Sequence, residues 1–158
     1  MLFSRRSRCC ATRELCQQLA KEGAEIVEIP VDLSGALDRE KFVASLNEDV
    51  ALVTLMWANN ETGVIFPVAW IAEMCRAKKI PFHCDATQAI GKVPVNFHEL
   101  QLDAASFASH KFHGPKGVGA MFLRRGVRYR PLIIGGPQER NRRGGTENVP
   151  GIVGMGTA

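Results

Sequence analysis

Five polar side chains of this protein are suited to chemistry. Each lies shortly after an apolar run, near the position where a strand would end. They are Asn60, Asp85, Gln88, His110 and Lys111. A lysine held at such a place can lose part of its hydration, which favours its neutral, nucleophilic form and suits it to Schiff-base chemistry. Each of these side chains also has an ordinary structural explanation, such as a turn, a helix cap or a packed imidazole. The prediction of a site therefore depends on their convergence.

Apolar runs separated by helical patterns predict the elements that would bring these side chains together. The near-continuous apolar run of residues 50–57 is typical of a strand that is covered on both faces. Shorter runs predict further strands at residues 24–29, 80–84, 104–108 and 120–123. Because strands alternate with helices, we predict one α/β domain with a largely parallel sheet. Ligands bind such sheets outside the carboxyl ends of the strands.

The helical patterns also predict which side chains pack against the sheet. The first helix should end at Gly23, the second should begin at a capping Asp38, and Pro67 should open the third. Leu15, Leu19 and Ala20 predict that the first helix forms. The predicted apolar faces comprise Phe42, Val43 and Leu46 in the second helix, and Val68, Ile71, Met74 and Cys75 in the third.

The composition excludes several classes of protein. Hydrophobic residues make up 46% of the chain and charged residues 23%, which is ordinary for a globular protein, and no apolar run is long enough to span a bilayer. The net charge is +4, with arginines crowded in the last third. Because aromatic residues do not interleave with them, we expect small anions or an acidic partner rather than nucleic acid. The cysteines are odd in number and form no C-x-x-C pair, so we expect reduced thiols inside the cell.

Residues 1–10 differ in composition from the rest of the chain. They contain Arg5, Arg6 and Arg8 and no acidic residue. This composition fits a transit peptide, but the stretch is short for one. We interpret it as an unassigned basic leader, disordered or misassigned, and expect the domain to occupy residues 11–158. The expected location is therefore the cytoplasm rather than the mitochondrion.

Four motifs, in order along the chain, resemble those of the class V aminotransferase group of fold type I pyridoxal-phosphate enzymes. The motifs are A-N-N-E-T-G at 58–63, H-C-D-A-T-Q at 83–88, S-H-K at 109–111 with G-P-K-G at 114–117, and G-G-T-E-N at 144–148. Within the group the chain is most similar to the cysteine desulfurases, with selenocysteine lyases as close relatives. The resemblance implies a three-layer large domain with helices on both faces of the sheet, of which this chain is the central part.

The resemblance also implies pyridoxal 5'-phosphate as the cofactor. Lys111 would bind it covalently, and Asp85 would pair with its pyridine nitrogen and keep that nitrogen protonated. Gln88 would hydrogen-bond the phenolic oxygen, and Asn60 the same region of cofactor or substrate. The implied phosphate contacts are His110, Ser109 and, across a homodimer interface, Thr146.

The chain departs from the family pattern at several places. The family usually has a phosphate-binding serine three residues before the lysine, where this chain has Ala108, so Ser109 would have to replace it. Cys9 or Cys10 stands where the family has a histidine that stacks on the cofactor ring. The glycine-rich phosphate segment, the persulfide-forming cysteine and the arginine for the substrate carboxylate have no counterpart. We therefore expect a segment of a longer enzyme that, by itself, binds pyridoxal phosphate weakly at best and releases no sulfide from L-cysteine.

The implied reaction removes sulfur from L-cysteine, leaves alanine, and passes the sulfur through an enzyme persulfide to an acceptor such as an iron–sulfur scaffold protein. A selenocysteine lyase acting on L-selenocysteine and a non-catalytic fragment that keeps the fold and the dimer surface remain alternatives. A metal-dependent hydrolase using His83, Asp85, His110 and His113 is disfavoured, because their spacing matches no metal motif. We therefore expect no metal site.

Overall fold

The computed structural model describes residues 2–4 and 10–158. The strands are β1 (Leu2–Ser4), β2 (Val27–Ile29), β3 (Val53–Met56), β4 (Phe82–Asp85), β5 (Ala104–Ala108) and β6 (Gly119–Leu123). The helices are α1 (Cys10–Lys21), α2 (Arg39–Ser45), α3 (Val68–Ala77), α4 (Gln138–Asn141) and α5 (Val149–Thr157), with a 3₁₀-helix at Ser109–Phe112. The predicted alternation of strands and helices is confirmed. No helix in the described part of the chain is long and apolar enough to cross a membrane.

The described strands form a single sheet in the order β2–β1–β3–β4–β5–β6. Neighbouring strands are parallel except β5 and β6, which are antiparallel. The sheet is therefore largely parallel, as predicted. In its register, Met56 of β3 lies beside Asp85 of β4, and Asp85 lies beside Ser106 of β5. The carboxyl ends of these three strands consequently meet at one edge, which we call the carboxyl edge.

The core lies around β3 and β4 and under the helices that flank them. All four residues of β3 are buried, which confirms the prediction of a strand covered on both faces. Phe42 of α2 is buried, and its ring lies 5.6 Å from that of Trp70 of α3. Ile71 and Cys75 of α3 are also buried, as predicted for that helix.

The first helix forms as predicted, although its leading leucine is not on the buried side, and the predicted face of α2 is only partly right. In α1, Leu15 is 55% exposed, whereas the neighbouring Cys16 is 1% exposed. Successive helical residues point about 100° apart, so a few apolar side chains do not determine which side of a short helix meets the sheet. In α2, Asp38 caps the helix as predicted, with Oδ1 accepting a hydrogen bond from the Lys41 amide at 2.9 Å, but Val43 is exposed.

The structure differs from the predicted leader at Leu2–Ser4. These residues form β1, which lies between β2 and β3 and pairs with both. A strand of three residues is too short to show an alternating pattern, and the arginines that follow it obscured the signal. The other residues of the predicted leader up to Cys9, namely 1 and 5–9, lie outside the described residues, and Cys10 is the first residue of α1.

Residues 129–158 form a segment that we call the C-terminal arm. Leu132 and Ile134 are 96% and 89% exposed. The amide of Gly144 donates to the carbonyl of Ile133 at 2.8 Å, which folds the arm back on itself. Gly144 also fits closely against Gly135, because a Cβ on Gly144 would lie 2.7 Å from the amide nitrogen of Gly135.

Candidate active site

Backbone hydrogen bonds extend the carboxyl edge beyond the strands. The amide of Trp57 donates to the carbonyl of Asp85 at 2.9 Å, and the amide of Ala86 donates to the carbonyl of Ser106 at 2.9 Å. The loops that follow β3, β4 and β5 therefore leave the sheet side by side. These loops carry the polar side chains that the sequence predicted to converge.

Asp85 is the last residue of β4 and is partly buried. Its Oδ1 accepts a hydrogen bond from the amide of Thr87 at 3.0 Å, which starts a tight turn. Ala86 and Ala89 of this turn are fully buried, so the turn packs firmly on the core. The carboxylate is thus fixed in place at the carboxyl edge.

Lys92 connects the turn after β4 to the 3₁₀-helix after β5. Its ammonium donates to the backbone carbonyl of Lys111 at 3.0 Å and to Oε1 of Gln88 at 3.4 Å. Because Lys92 engages the oxygen of the Gln88 amide, the NH₂ group of that amide points elsewhere and can donate to a ligand. Lys92 therefore links the side chain of Gln88 to the backbone of Lys111.

Lys111 lies in the 3₁₀-helix, beyond the end of β5, and its side chain is exposed. The prediction that a strand end would desolvate this lysine is not met in the described chain, because β5 already ends at Ala108. His110 is exposed beside it. His113 closes the short helix in the left-handed conformation, with φ of 74°. Both predicted residues are accessible to a ligand.

Ser109 is buried beneath the same 3₁₀-helix. The residue is 0% exposed, and its hydroxyl has no hydrogen-bond partner among the described residues. The hydroxyl lies against Gly114, where a Cβ would collide with it. This placement argues against the predicted phosphate contact, because the tight turn directs the side chain inward. The hydroxyl of Ser106 is also directed elsewhere, since it lies 3.0 Å from Nε2 of His83.

The two neighbouring asparagines in the loop after β3 differ in burial and in hydrogen bonding. Asn59 is buried, and its Oδ1 accepts hydrogen bonds from the amides of Glu61 and Thr62 at 2.9 and 3.0 Å. Its side chain therefore holds the loop in shape. Asn60 is exposed. Of the pair, Asn60 has the accessible side chain, and its contact with cofactor or substrate stays a prediction.

Thr146 lies in the C-terminal arm and is exposed. The neighbouring Gly145 amide donates to Oε1 of Gln138 at 3.1 Å, within the arm. In the chain as described, no hydrogen bond joins Thr146 to the carboxyl edge. The structure therefore does not bring Thr146 together with Lys111 of the same chain, and its contact across a dimer interface stays a prediction.

His83, which was considered above as a possible metal ligand, lies inside the sheet near Asp85. Nδ1 of His83 lies 2.8 Å from Oγ1 of Thr54, and Nε2 lies 3.0 Å from Oγ of Ser106. Burial lowers the pKa of His83, and the negative charge of Asp85 opposes this effect. Both ring nitrogens are thus engaged by hydroxyls. Among the described residues, no group of three or more His, Cys, Asp and Glu side chains is arranged to hold a metal ion.

Three cysteines with described side chains, Cys16, Cys75 and Cys84, are free and buried. Burial raises the pKa of the Cys75 thiol to about 12 and raises the pKa of the Cys84 thiol as well. A buried thiol with a raised pKa is a poor nucleophile. Cys75 is buried, as predicted for its helix, and Cys84 is buried within β4.

Comparison with known proteins extends the similarity over nearly the whole chain. The Aminotransferase class-V family model matches residues 8–158. A cysteine desulfurase from Klebsiella pneumoniae is 53% identical over 148 residues, which cover 94% of this chain and 37% of that protein. A solved structure named NifS-like protein has a TM-score of 0.95 and 43% identity, and covers 99% of this chain and 43% of that one. A structure described as SspA in complex with cysteine has a TM-score of 0.94 and 31% identity, and covers 99% of this chain and 46% of that one.

Proposed function

Because this chain belongs to the class V aminotransferase family, we propose that it is the cofactor-binding segment of a pyridoxal-phosphate-dependent cysteine desulfurase. The observation that carries the proposal is the bond network of Lys92, which holds Gln88 beside the loop of Lys111. A single turn begins at Asp85 and ends at Lys92. Relatives named cysteine desulfurase that match 94% of the chain support the assignment, although the chain spans only 37% of the length of such a relative.

The residues at the carboxyl edge fit the functional groups of pyridoxal phosphate. Its aldehyde needs an amine, its ring nitrogen an anionic partner, and its phenolic oxygen a hydrogen-bond donor. Lys111, Asp85 and the Gln88 amide supply these groups in adjacent loops, and Asn60 and His110 are exposed in the loops after β3 and β5. When bound, this cofactor supplies an electron sink for the negative charge that develops at the α-carbon of an amino acid.

Each residue of the edge would have a specific role in that chemistry. Nζ of Lys111 would bind the aldehyde carbon and, once released as a free amine, would move the proton of the substrate's α-carbon. Asp85 would hold a proton on the ring nitrogen, because a carboxylate stabilises a nearby cation. Gln88 would orient the ring through its NH₂ group, and His110 would donate to the phosphate.

The complete reaction would convert L-cysteine to alanine and pass sulfur to a cysteine thiolate, and from this persulfide to an acceptor such as an iron–sulfur scaffold protein. The burial of Cys16, Cys75 and Cys84 supports an acceptor thiol other than these three. A homodimer in which Thr146 reaches the partner's phosphate site would complete the cofactor contacts. The free cysteines also support a reducing compartment such as the cytoplasm.

The test separates binding of the cofactor from transfer of sulfur. The purified chain, supplied with pyridoxal phosphate, is incubated in D₂O with L-alanine, and deuterium at the α-carbon is followed by NMR. A parallel sample with L-cysteine is assayed for sulfide. We expect exchange that requires the cofactor and is absent in Lys111→Ala, and no sulfide above that control.

Two results would contradict the proposal in different ways. Exchange that Lys111→Ala retains would refute the assignment of the cofactor lysine. Release of sulfide well above the control would show that the chain is an active desulfurase by itself and not a segment of one.

A further inference from the structure

A row of polar side chains crosses the sheet beneath the carboxyl edge. Thr54 of β3 lies opposite His83 of β4, and Ser106 of β5 lies opposite Asp85 of β4. The imidazole of His83 joins the two outer strands, since its ring nitrogens contact Oγ1 of Thr54 at 2.8 Å and Oγ of Ser106 at 3.0 Å. These contacts connect three neighbouring strands at the level just below Asp85.

The chemistry of the bridge suits an uncharged imidazole. A neutral histidine has one N–H donor and one acceptor nitrogen, and each hydroxyl can donate or accept, so either tautomer is fully satisfied. Thr54 is 4% exposed, and burial of His83 disfavours its protonated form.

Asp85 shares a strand face with His83, because side chains two residues apart in a strand point to the same side. Their separation along the strand is about 6.6 Å. Ser106, which holds one end of the bridge, is also the residue beside Asp85 in the neighbouring strand. A displacement of His83 or Ser106 would therefore change the position of the carboxylate.

We propose that Thr54, His83 and Ser106 form a hydrogen-bonded bridge that positions Asp85 for the ring nitrogen of the cofactor. This inference rests on the proposed function and adds positioning residues that touch neither cofactor nor substrate. The bridge fixes the end of β4 between its neighbours. It also places an uncharged group, rather than a cation, below the carboxylate.

The charge of His83 matters because a cation there would compete with the cofactor for Asp85. An imidazolium two residues from Asp85 on the same strand face would repel a protonated ring nitrogen and so weaken binding of the cofactor. Asp85 shares the strand face of His83. The cavity that His83 lines is also lined by these charged or titratable residues: Arg76, Lys79, Asp103, Arg128 and Tyr129.

The first experiment measures the imidazole itself in the cofactor-free chain. Nitrogen-15 NMR of the ring, assigned by the signals lost in His83→Gln, reports its charge. We expect the signals of a neutral ring at about pH 6, where an ordinary histidine is largely protonated. The signals should shift in Ser106→Ala and Thr54→Val and stay close to wild type in Thr54→Ser, which keeps the hydroxyl. A protonated His83 at that pH would overturn the proposal.

The second experiment measures the affinity for pyridoxal phosphate across pH. Loss of one hydrogen bond of the bridge should weaken binding by about three- to tenfold in Ser106→Ala and Thr54→Val, with recovery in Thr54→Ser. As the pH falls and imidazolium forms, wild-type affinity should decline more steeply than that of His83→Gln, which cannot gain the charge. His98→Gln, at an exposed histidine, is the control and should follow the wild type.

The outcomes separate the two proposals. Failure of the unchanged chain to bind pyridoxal phosphate would overturn the proposed function and this positioning role with it. Binding that Ser106→Ala and Thr54→Val leave unchanged would overturn the positioning role alone. Identical pH profiles for wild type and His83→Gln would also refute it.

Discussion

The carboxyl edge and the C-terminal arm both carry predicted cofactor contacts, but they are held in different ways. At the edge, Asp85 and Gln88 are fixed by hydrogen bonds within the chain, and Lys92 ties their turn to the loop of Lys111. In the arm, Thr146 is exposed, and Leu132 shows nearly all of its apolar surface to solvent. The side chains of the edge are held in place by hydrogen bonds within this chain. We expect the side chains of the arm to be held only when another protein surface packs against them.

The difference shows which predicted residues can be tested in the isolated chain. Contacts of the edge should be present at any protein concentration, because the chain alone forms them. Contacts of the arm should appear only when a second copy covers it. The exposed apolar side chains of the arm include Leu132, Ile133, Ile134, Ile152 and Val153. A patch of this kind is typical of an interaction surface.

The largest expected effect concerns Lys111. In Lys111→Ala, reduction of the cofactor-treated chain with borohydride should leave no cofactor on the chain, because the amine that binds the aldehyde is gone. Mass spectrometry of the peptides measures this. Lys116→Ala, at an exposed lysine of the same loop region, is the control and should label normally. Labelling of Lys92 or Lys116 in the unchanged chain would refute the assignment.

The second effect concerns Asp85. Asp85→Asn keeps the oxygen that accepts from Thr87 but removes the negative charge, so the turn should persist. We expect the cofactor still to be trapped by borohydride, and the α-hydrogen exchange of alanine to slow about a hundredfold. Asp49→Asn, on an exposed loop, is the matched control. Near-normal exchange in Asp85→Asn would show that the carboxylate does not take part in the chemistry.

The third effect tests the arm. Thr146→Ala should weaken binding of pyridoxal phosphate about tenfold at concentrations where the chain dimerises, because a hydrogen bond to a charged phosphate is lost. In dilute monomer it should change nothing. Sedimentation velocity and cofactor titration measure the two quantities together, with Thr157→Ala in the same arm as the control. An equal loss in monomer and dimer would place Thr146 in the site of its own chain.

The smallest effect concerns Lys92. Lys92→Met keeps an unbranched apolar stem but removes the ammonium that joins Gln88 to the Lys111 carbonyl. Because the lysine is exposed, we expect affinity for pyridoxal phosphate to fall only about two- to threefold. Lys21→Met, at the end of α1, should have no effect. An unchanged affinity in Lys92→Met would mean that the edge holds its shape without this link.

The sequence predicted strands β2 to β6 and three of the helices because their signals are local. The apolar run of residues 50–57 is long enough to indicate a covered strand, and all of β3 is buried. The capping role of Asp38 follows from the backbone amides that a helix start leaves unpaired. The convergence of Asp85, Gln88 and Lys111 follows from the rule that parallel strands end at the same edge.

Features that depend on contacts between distant residues could not be predicted. The bridge joins His83 to residues that are 29 and 23 positions away, and a sequence does not specify the register of parallel strands. The inward direction of Ser109 depends on the turn closed by His113. The identity of the cofactor came from resemblance alone. The dimer contact of Thr146 remains a prediction.

The order of strands in the sheet has a consequence for how the chain folds. From β4 onward each strand pairs with the strand that precedes it in the chain, whereas β1 lies between β2 and β3. Pairing with the preceding strand closes a shorter loop than pairing with a more distant strand, and a shorter loop costs less closure entropy. During synthesis, each strand from β4 onward can add to the edge left by the previous one as it leaves the ribosome. We therefore expect the half of the sheet that supports the loop of Lys111 to assemble before the C-terminal arm is made.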